Sequence, residues 1–218
     1  MTPGPPPTWS RTILPLFVPP TADPAAWDAV AATGGELTAV VRPDGHDTDG
    51  GAVLARLAIS GVPVLGYVDL GWAARPVADL LDEVTRWVDE PVAGVFLDHA
   101  PTSPFSVGPV ALAIRVACRA GLESVVLNPG VPTDPLYRTL PATICTFEGS
   151  WLEYQRWSAE GSEPGDIHLV HSVPADQHGA ARDLQDRRGA AAGLVTDRTP
   201  PSTYSGAPAW LRSLPVPR

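Results

Sequence analysis

The chain has 218 residues, 44% hydrophobic and 18% charged, with 26 prolines, 20 glycines and a formal charge of −9. That length suits one substantial core and is short for two domains. The acidic balance gives no broad basic surface for nucleic acid or an anionic membrane, and no run approaches 18 uninterrupted apolar residues, so neither is an expected partner.

Residues 1–10 read as a flexible proline-rich arm ahead of a single domain over 11–218. The arm lacks the basic and apolar regions of a secretory signal, so the chain reads as cytoplasmic as written and as secreted if a leader is missing. A first strand is expected over 13–18. Asp23-Pro24 then supplies an N-cap and first-turn pair for a helix carrying Trp27, Val30 and Ala31. A second strand over 37–41 runs into Arg42-Pro-Asp-Gly-His-Asp-Thr-Asp-Gly-Gly51. This polar loop fits either the edge of a cleft or a solvated connection, and a helix near 51–60 follows it.

The third strand, over 62–68, is terminated by Asp69. Beyond Trp72 and Pro76, residues Val77, Leu80, Leu81, Val84 and Val88 repeat at helical spacing. The fourth strand is the short apolar run Val92-Ala-Gly-Val-Phe-Leu-Asp98, followed by His99. It has the pattern of a buried parallel strand whose polar end lies at the sheet edge. Ligands of α/β folds bind at the carboxyl ends of parallel strands, so Asp98 is the first catalytic candidate and His99 its nearest partner. The structural alternative is that Asp98 caps the following turn.

Val110, Ile114, Ala117 and Cys118 mark the next helix, and a fifth strand over 124–127 ends at Asn128-Pro-Gly130. A sixth strand over 142–147 ends at Glu148. Trp151, Leu152, Tyr154 and Trp157 fall on a following helix, with Trp151 and Tyr154 near enough to its start to meet a ligand, although core packing is the commoner fate of such aromatics. A seventh strand over 166–170 ends at His171, a helix covers 176–188, and an eighth strand covers 190–195. Asp197, Tyr204 and Trp210 are left in an irregular tail.

Eight strands at about 27 residues per strand and helix predict a compact (β/α)8, or TIM, barrel. Right-handed crossovers would then gather Asp69, Asp98, Asn128, Glu148 and His171 on one rim. An open doubly wound sheet is the competing arrangement. It would lack both nucleotide signatures, the Gly-x-Gly-x-x-Gly turn and the Gly-rich loop ending in Lys-Ser/Thr, so no cofactor is expected.

Glycoside hydrolysis needs two carboxyl groups flanking the scissile bond, and Asp98 and Glu148 can face each other across such a mouth. Tyr67, Trp72 and Trp151 lie where they can stack on sugar rings. His46, His99, His171 and several aspartates can converge after folding, but there is no His-Glu-x-x-His or Cys-x-x-Cys segment, and no metal is expected. Cys118 and Cys145 sit in apolar stretches without a paired base, and Ser106 lacks a Gly-x-Ser-x-Gly elbow.

The segments Leu14-Pro-Leu-Phe-Val18, Gly66-Tyr-Val-Asp-Leu-Gly-Trp-Ala-Ala-Arg-Pro76, Val92-Ala-Gly-Val-Phe-Leu-Asp98, Val126-Leu-Asn-Pro-Gly130 and Thr146-Phe-Glu148 resemble the successive motifs of the spherulin-4-like, or spherulation-specific family 4, proteins. The match covers about residues 12–160, with a weaker continuation. The resemblance implies a (β/α)8 domain related to glycoside hydrolases that cleave α-1,4-linked galactosaminoglycans, polymers of N-acetylgalactosamine and its deacetylated, cationic form. It implies Asp98 as nucleophile and Glu148 as general acid/base; Asp69, Asn128, His99 and His171, sharing that rim, would then orient these groups or bind sugar.

Such roles call for a raised pKa at Glu148 and an ionised Asp98. The family commonly has an acid after the first carboxylate, whereas this chain has His99, a departure that also fits a sugar-binding relative without turnover. Strand alternation favours His99 behind the strand; an immediate turn after Asp98 would bring both side chains into the cleft.

Overall fold

The computed structural model describes residues 10–42 and 50–212, so the proline-rich arm up to residue 9, His46 and most of the loop after the second strand lie outside the described residues. Eight strands form one sheet: β1 (Thr12–Pro15), β2 (Leu37–Val41), β3 (Val64–Asp69), β4 (Gly94–Asp98), β5 (Ser124–Asn128), β6 (Thr143–Ser150), β7 (Ile167–His171) and β8 (Ala192–Val195). Each pairs in parallel with its sequence neighbours, and Thr12 of β1 pairs with Gly193 of β8. The sheet is therefore a closed barrel, and the open doubly wound alternative is excluded.

The helices are α1 (Pro24–Ala31), α2 (Gly50–Ile59), α3 (Val77–Arg86), α4 (Val107–Arg119), α5 (Trp151–Arg156), α6 (His178–Arg187) and α7 (Ala209–Arg212). Local chemistry starts α1: the Asp23 carboxylate accepts from the Ala26 N–H at 3.1 Å, and Pro24 occupies the first turn, where its missing N–H costs nothing. In α3 the buried positions are Leu80 and Val84. Trp87, just past its end, lies against Gly66 of β3, where an added Cβ would come within 2.3 Å of the indole. The indole N–H donates to the Tyr67 carbonyl at 3.1 Å, so a large ring is buried with its polar atom satisfied.

The expected alternation fails between β5 and β6, where a 3-10 turn, Pro135–Thr139, replaces an α-helix. Prolines at 129, 132, 135 and 141 remove N–H donors throughout this connection and explain the substitution. Likewise α5 stops at Arg156, and Trp157, expected on that helix, has extended backbone. The main apolar cluster runs from β1 around the barrel to the helices outside it. A second, smaller cluster joins Phe147, Trp151, Tyr154, Val170, Val173, Ala181 and Val195 on the β6 to β8 side. Among the described residues, no helix is long and apolar enough to cross a membrane.

Candidate active site

Sheet register assembles the first half of the site. Asp69 pairs with Asp98 across β3 and β4, and Asp98 pairs with Asn128 across β4 and β5, so three polar side chains end adjacent strands at one level. Glu148 reaches the same place by a different route. β6 carries one extra residue between Cys145, opposite Ile167, and Phe147, opposite His168. Thr146 turns out to hydrogen-bond Asp166, and Phe147 also turns out, into the second cluster. Strict alternation would have put Glu148 on the Thr146 side; the bulge instead aims it at Asp98. β6 also continues two residues past Glu148, which is not its terminus as expected.

Asn128 is the hub. Its Oδ1 accepts from the Gly130 N–H at 3.1 Å, which fixes the amide so that Nδ2 faces the two acids. Nδ2 donates to Asp98 Oδ1 at 2.7 Å and to Glu148 Oε2 at 2.6 Å. The sum of these lengths limits the separation of the two oxygens to about 5.3 Å. Gly130, at φ +68°, also accepts from the Glu148 N–H at 3.0 Å, and a side chain there would crowd the Glu148 Cβ at 3.2 Å. The other Glu148 oxygen accepts from the Tyr204 hydroxyl at 2.6 Å.

Tyr204 was missed by the sequence reading, which left it in the tail. Its carbonyl accepts from the Phe17 N–H at 2.7 Å and its ring meets Phe17 edge-on, so the tail is fastened to the end of β1. Tyr67 is buried with its ring edge-on to Phe17, close enough to Asp98 for that carboxylate to act on its phenol. Burial, then the neighbouring carboxylates, raise both phenols, so each stays a protonated donor.

His99 does not follow strand alternation. It adopts φ +50°, so the chain turns immediately after Asp98 and the ring enters the mouth rather than lying behind the strand. Its Nδ1 lies 2.8 Å from Asp69 Oδ1, and its Nε2 lies 3.8 Å from Asp98 Oδ2. Trp72, itself at φ +50°, donates its N–H to the His99 carbonyl at 2.7 Å and stacks on the imidazole with centroids 4.0 Å apart. The indole is 63% exposed. Asp69 also accepts from the Gly71 N–H at 2.8 Å. Burial pushes its carboxyl upward, but the bonds from His99 and Gly71 outweigh this and hold it below the usual range.

Asp98 moves the other way. Burial first, and the Glu148 charge second, push its carboxyl up, against partial relief from His99 and Asn128. This upward pressure runs against the ionised state expected of Asp98. The Cys145 thiol, fully buried, is pushed well up and remains unreactive.

His171 sits on the β7 side, hydrogen-bonded through Nδ1 to Ser172 Oγ at 2.9 Å, and burial lowers its pKa despite Glu148 and Glu153 nearby. Trp151 is not brought to the acids. A capping box on Ser150 sets the start of α5, and the indole packs in the second cluster, donating to Gln177 at 2.5 Å. Among the described residues, no group of three or more His, Cys, Asp or Glu side chains is arranged to hold a metal ion.

Two opposed carboxylates held by one amide, a phenol on the outer oxygen of Glu148, and an imidazole beside the pair can move protons and stabilise positive charge developing at a carbon. The chain is 29% identical over 163 residues to Spherulin-4 of Physarum polycephalum, a match covering 67% of this chain and 48% of that protein. The chain thus spans about half the length of that curated relative. The crystal structure of Aspergillus clavatus Sph3 in complex with GalNAc matches with a TM-score of 0.75, covering 94% of this chain and 95% of that one at 24% identity, a likeness of fold. The model of spherulation-specific family 4 matches residues 11–214, including the stretch beyond 160 where the sequence motifs fade. This chain belongs to spherulation-specific family 4.

Proposed function

We propose that the protein is a glycoside hydrolase acting on α-1,4-linked polysaccharide containing galactosamine and N-acetylgalactosamine, with Asp98 as nucleophile and Glu148 as general acid/base. The observation that carries this reading is the shared Asn128 amide, which keeps the facing oxygens of the two acids within about 5.3 Å. Retaining glycosidases hold their carboxyl groups roughly 5–5.5 Å apart, whereas inverting enzymes need roughly 6.5–9.5 Å to admit a water. An upper limit of about 5.3 Å between the facing oxygens falls short of the inverting spacing, and on that ground retention is favoured. GalNAc bound to a protein of the same fold supports an amino-sugar ligand, and a mouth lined by Asp69, Asp98 and Glu148 suits its cationic, deacetylated form.

In this mechanism the Asp98 carboxylate attacks the anomeric carbon while Glu148 gives its proton to the departing glycosidic oxygen. Water then receives the sugar as Glu148 takes the proton back. Both Glu148 oxygens already have partners, yet Tyr204 serves either protonation state, because a phenol hydroxyl donates to a carboxylate and accepts from a carboxylic acid.

Galactosaminoglycan oligomers incubated with the protein should yield new reducing ends of retained anomeric configuration, read by NMR. Glu148→Gln should lower the rate by roughly 10²- to 10⁴-fold. Full activity in that variant would remove the acid role. The second reading, a sugar-binding relative without turnover, draws on the histidine at position 99; it predicts calorimetric binding with no new reducing ends.

A further inference from the structure

We propose that His99, oriented by Asp69, takes the proton from Asp98 and so prepares the Asp98 carboxylate for attack, making Asp69 and His99 positioning residues for the nucleophile. The inference rests on Asp98 being the nucleophile of the proposed reaction. Its starting point is a requirement: Asp98 must be ionised to attack, yet it is enclosed, with only 15% of its side chain exposed, and faces Glu148 across a single amide. A base beside it resolves that conflict.

The geometry selects the base and its tautomer. An ionised Asp69 can only accept, so the His99 nitrogen 2.8 Å away, Nδ1, carries the proton. In the neutral ring, Nε2 is then left with its lone pair, and it is this atom that lies 3.8 Å from Asp98 Oδ2. That distance is long for a hydrogen bond but within reach of one bridging water or a small closure on substrate binding, as is common before a substrate tightens a site. The step balances: the Asp98 Oδ2–H bond breaks, the proton joins the Nε2 lone pair, and Nδ1–H stays on Asp69. A neutral acid and a neutral ring become a carboxylate beside an imidazolium, with net charge unchanged.

The surroundings are built for this ring. The Trp72 stack and the Trp72 backbone N–H bond to the His99 carbonyl hold it in a left-handed turn that residues other than glycine rarely adopt. Among the described residues, the carboxylates against it are Asp69 from β3 and Asp98 on its own strand, with the Arg42 guanidinium over the nearby Tyr67 ring. Glu148 of β6 lies beyond Asn128. Arg75 is behind Asp69, bonded to the Asp69 carbonyl and, at 2.6 Å, to Glu83 of α3, which also accepts from the Asp69 N–H at 3.4 Å. The Arg75 guanidinium is thus balanced by Glu83, and burial keeps the Tyr67 phenol protonated.

The test combines a spectroscopic and a kinetic measurement on the full chain. With ¹⁵N-labelled histidine, the five rings are resolved by NMR and His99 is assigned from its loss in His99→Gln. The neutral His99 ring should carry its proton on Nδ1, and its titration should move to lower pH in Asp98→Asn, where the adjacent negative charge is gone. A His99 titration unchanged by Asp98→Asn overturns the proposal whatever the activity. In turnover of galactosaminoglycan oligomers, His99→Gln keeps an amide toward Asp69 but cannot take a proton. Its kcat should fall at least about tenfold with little change in KM, and the pH profile should lose one ionisation. An unaltered pH profile in a well-folded His99→Gln protein also overturns it. NMR coupling without any hydrolysis would leave the proton exchange standing and reject the glycosidase reading, so the two failures are distinct.

Discussion

Asp98 and Asp166 are both aspartates at strand ends, the first half-buried at the carboxyl end of β4 and the second buried immediately before β7, and the protein treats them in opposite ways. Asp166, 2% exposed, meets the Arg138 guanidinium at both oxygens, with Nη2 to Oδ2 at 2.8 Å, and accepts from the Glu163 N–H at 2.8 Å, Thr146 at 3.0 Å and Ser162 at 3.1 Å. Burial pushes its carboxyl up, but Arg138 and these donors prevail and hold it low. Asp98 is enclosed too, though less completely, but its neighbour across Asn128 is another acid, and its carboxyl is pushed up. The base of the barrel thus satisfies a buried ion, whereas the mouth sets like charges together. Strained electrostatics of the second kind accompany chemistry, and their placement follows the division of a (β/α)8 barrel into a stabilising face and a reactive face.

The largest expected effect separates the two aspartates. Asp166→Asn breaks a buried ion pair and leaves Arg138 with the weaker 3.8 Å contact to the exposed Glu163, which should cost about 3–5 kcal/mol in denaturant unfolding. Asp98→Asn removes a buried like charge and should leave stability unchanged or raised while turnover is lost. Equal destabilisation by both substitutions would erase the distinction.

Next comes the pH dependence of the base. His168, fully buried between Tyr154 and Ser162, has its pKa lowered to about 4, chiefly by burial. The unfolded chain takes up this proton near pH 6.5 and the folded one only near 4, so the contribution is complete above about pH 6.5 and declines as pH falls through that window. At about 1.4 kcal/mol per unit the loss approaches about 3 kcal/mol, and His168→Gln should flatten the stability profile between those limits.

Tyr204→Phe, which deletes a donor to a carboxylate, should cost about 1.5 kcal/mol and lower kcat about tenfold with KM nearly constant. The smallest effect on folding is expected for Trp72→Ala, within about 0.5 kcal/mol because the indole is largely exposed. Its effect should appear in oligosaccharide affinity by calorimetry, which would mark it as a mouth residue.

Legibility of the site differed from residue to residue for identifiable reasons. Asp98 and Asn128 could be placed on one rim because each ends an apolar run, and parallel register then aligns their strands. Glu148 was found for the same reason, but its inward aim depends on the extra residue near Cys145, which no alternation pattern reveals. His99 was misdirected because alternation presumes continued β backbone, and a single left-handed residue cancels it. Trp151 had a pattern that suits the core more often than a cleft, and packing places it in the core.

What the sequence determined by itself is the number and order of the strands, their closure into a barrel expected from eight similar units, and the polar residues that end them. These follow from local hydrophobic periodicity, which records burial one element at a time. Only the tertiary structure decided which polar ends meet. Tyr204 reaches Glu148 from 56 residues away, out of a tail with no periodicity, and Asn128 joins two acids from different strands. Contacts between distant segments depend on crossover geometry and on single backbone angles, and neither leaves a mark on the residues nearby in the chain.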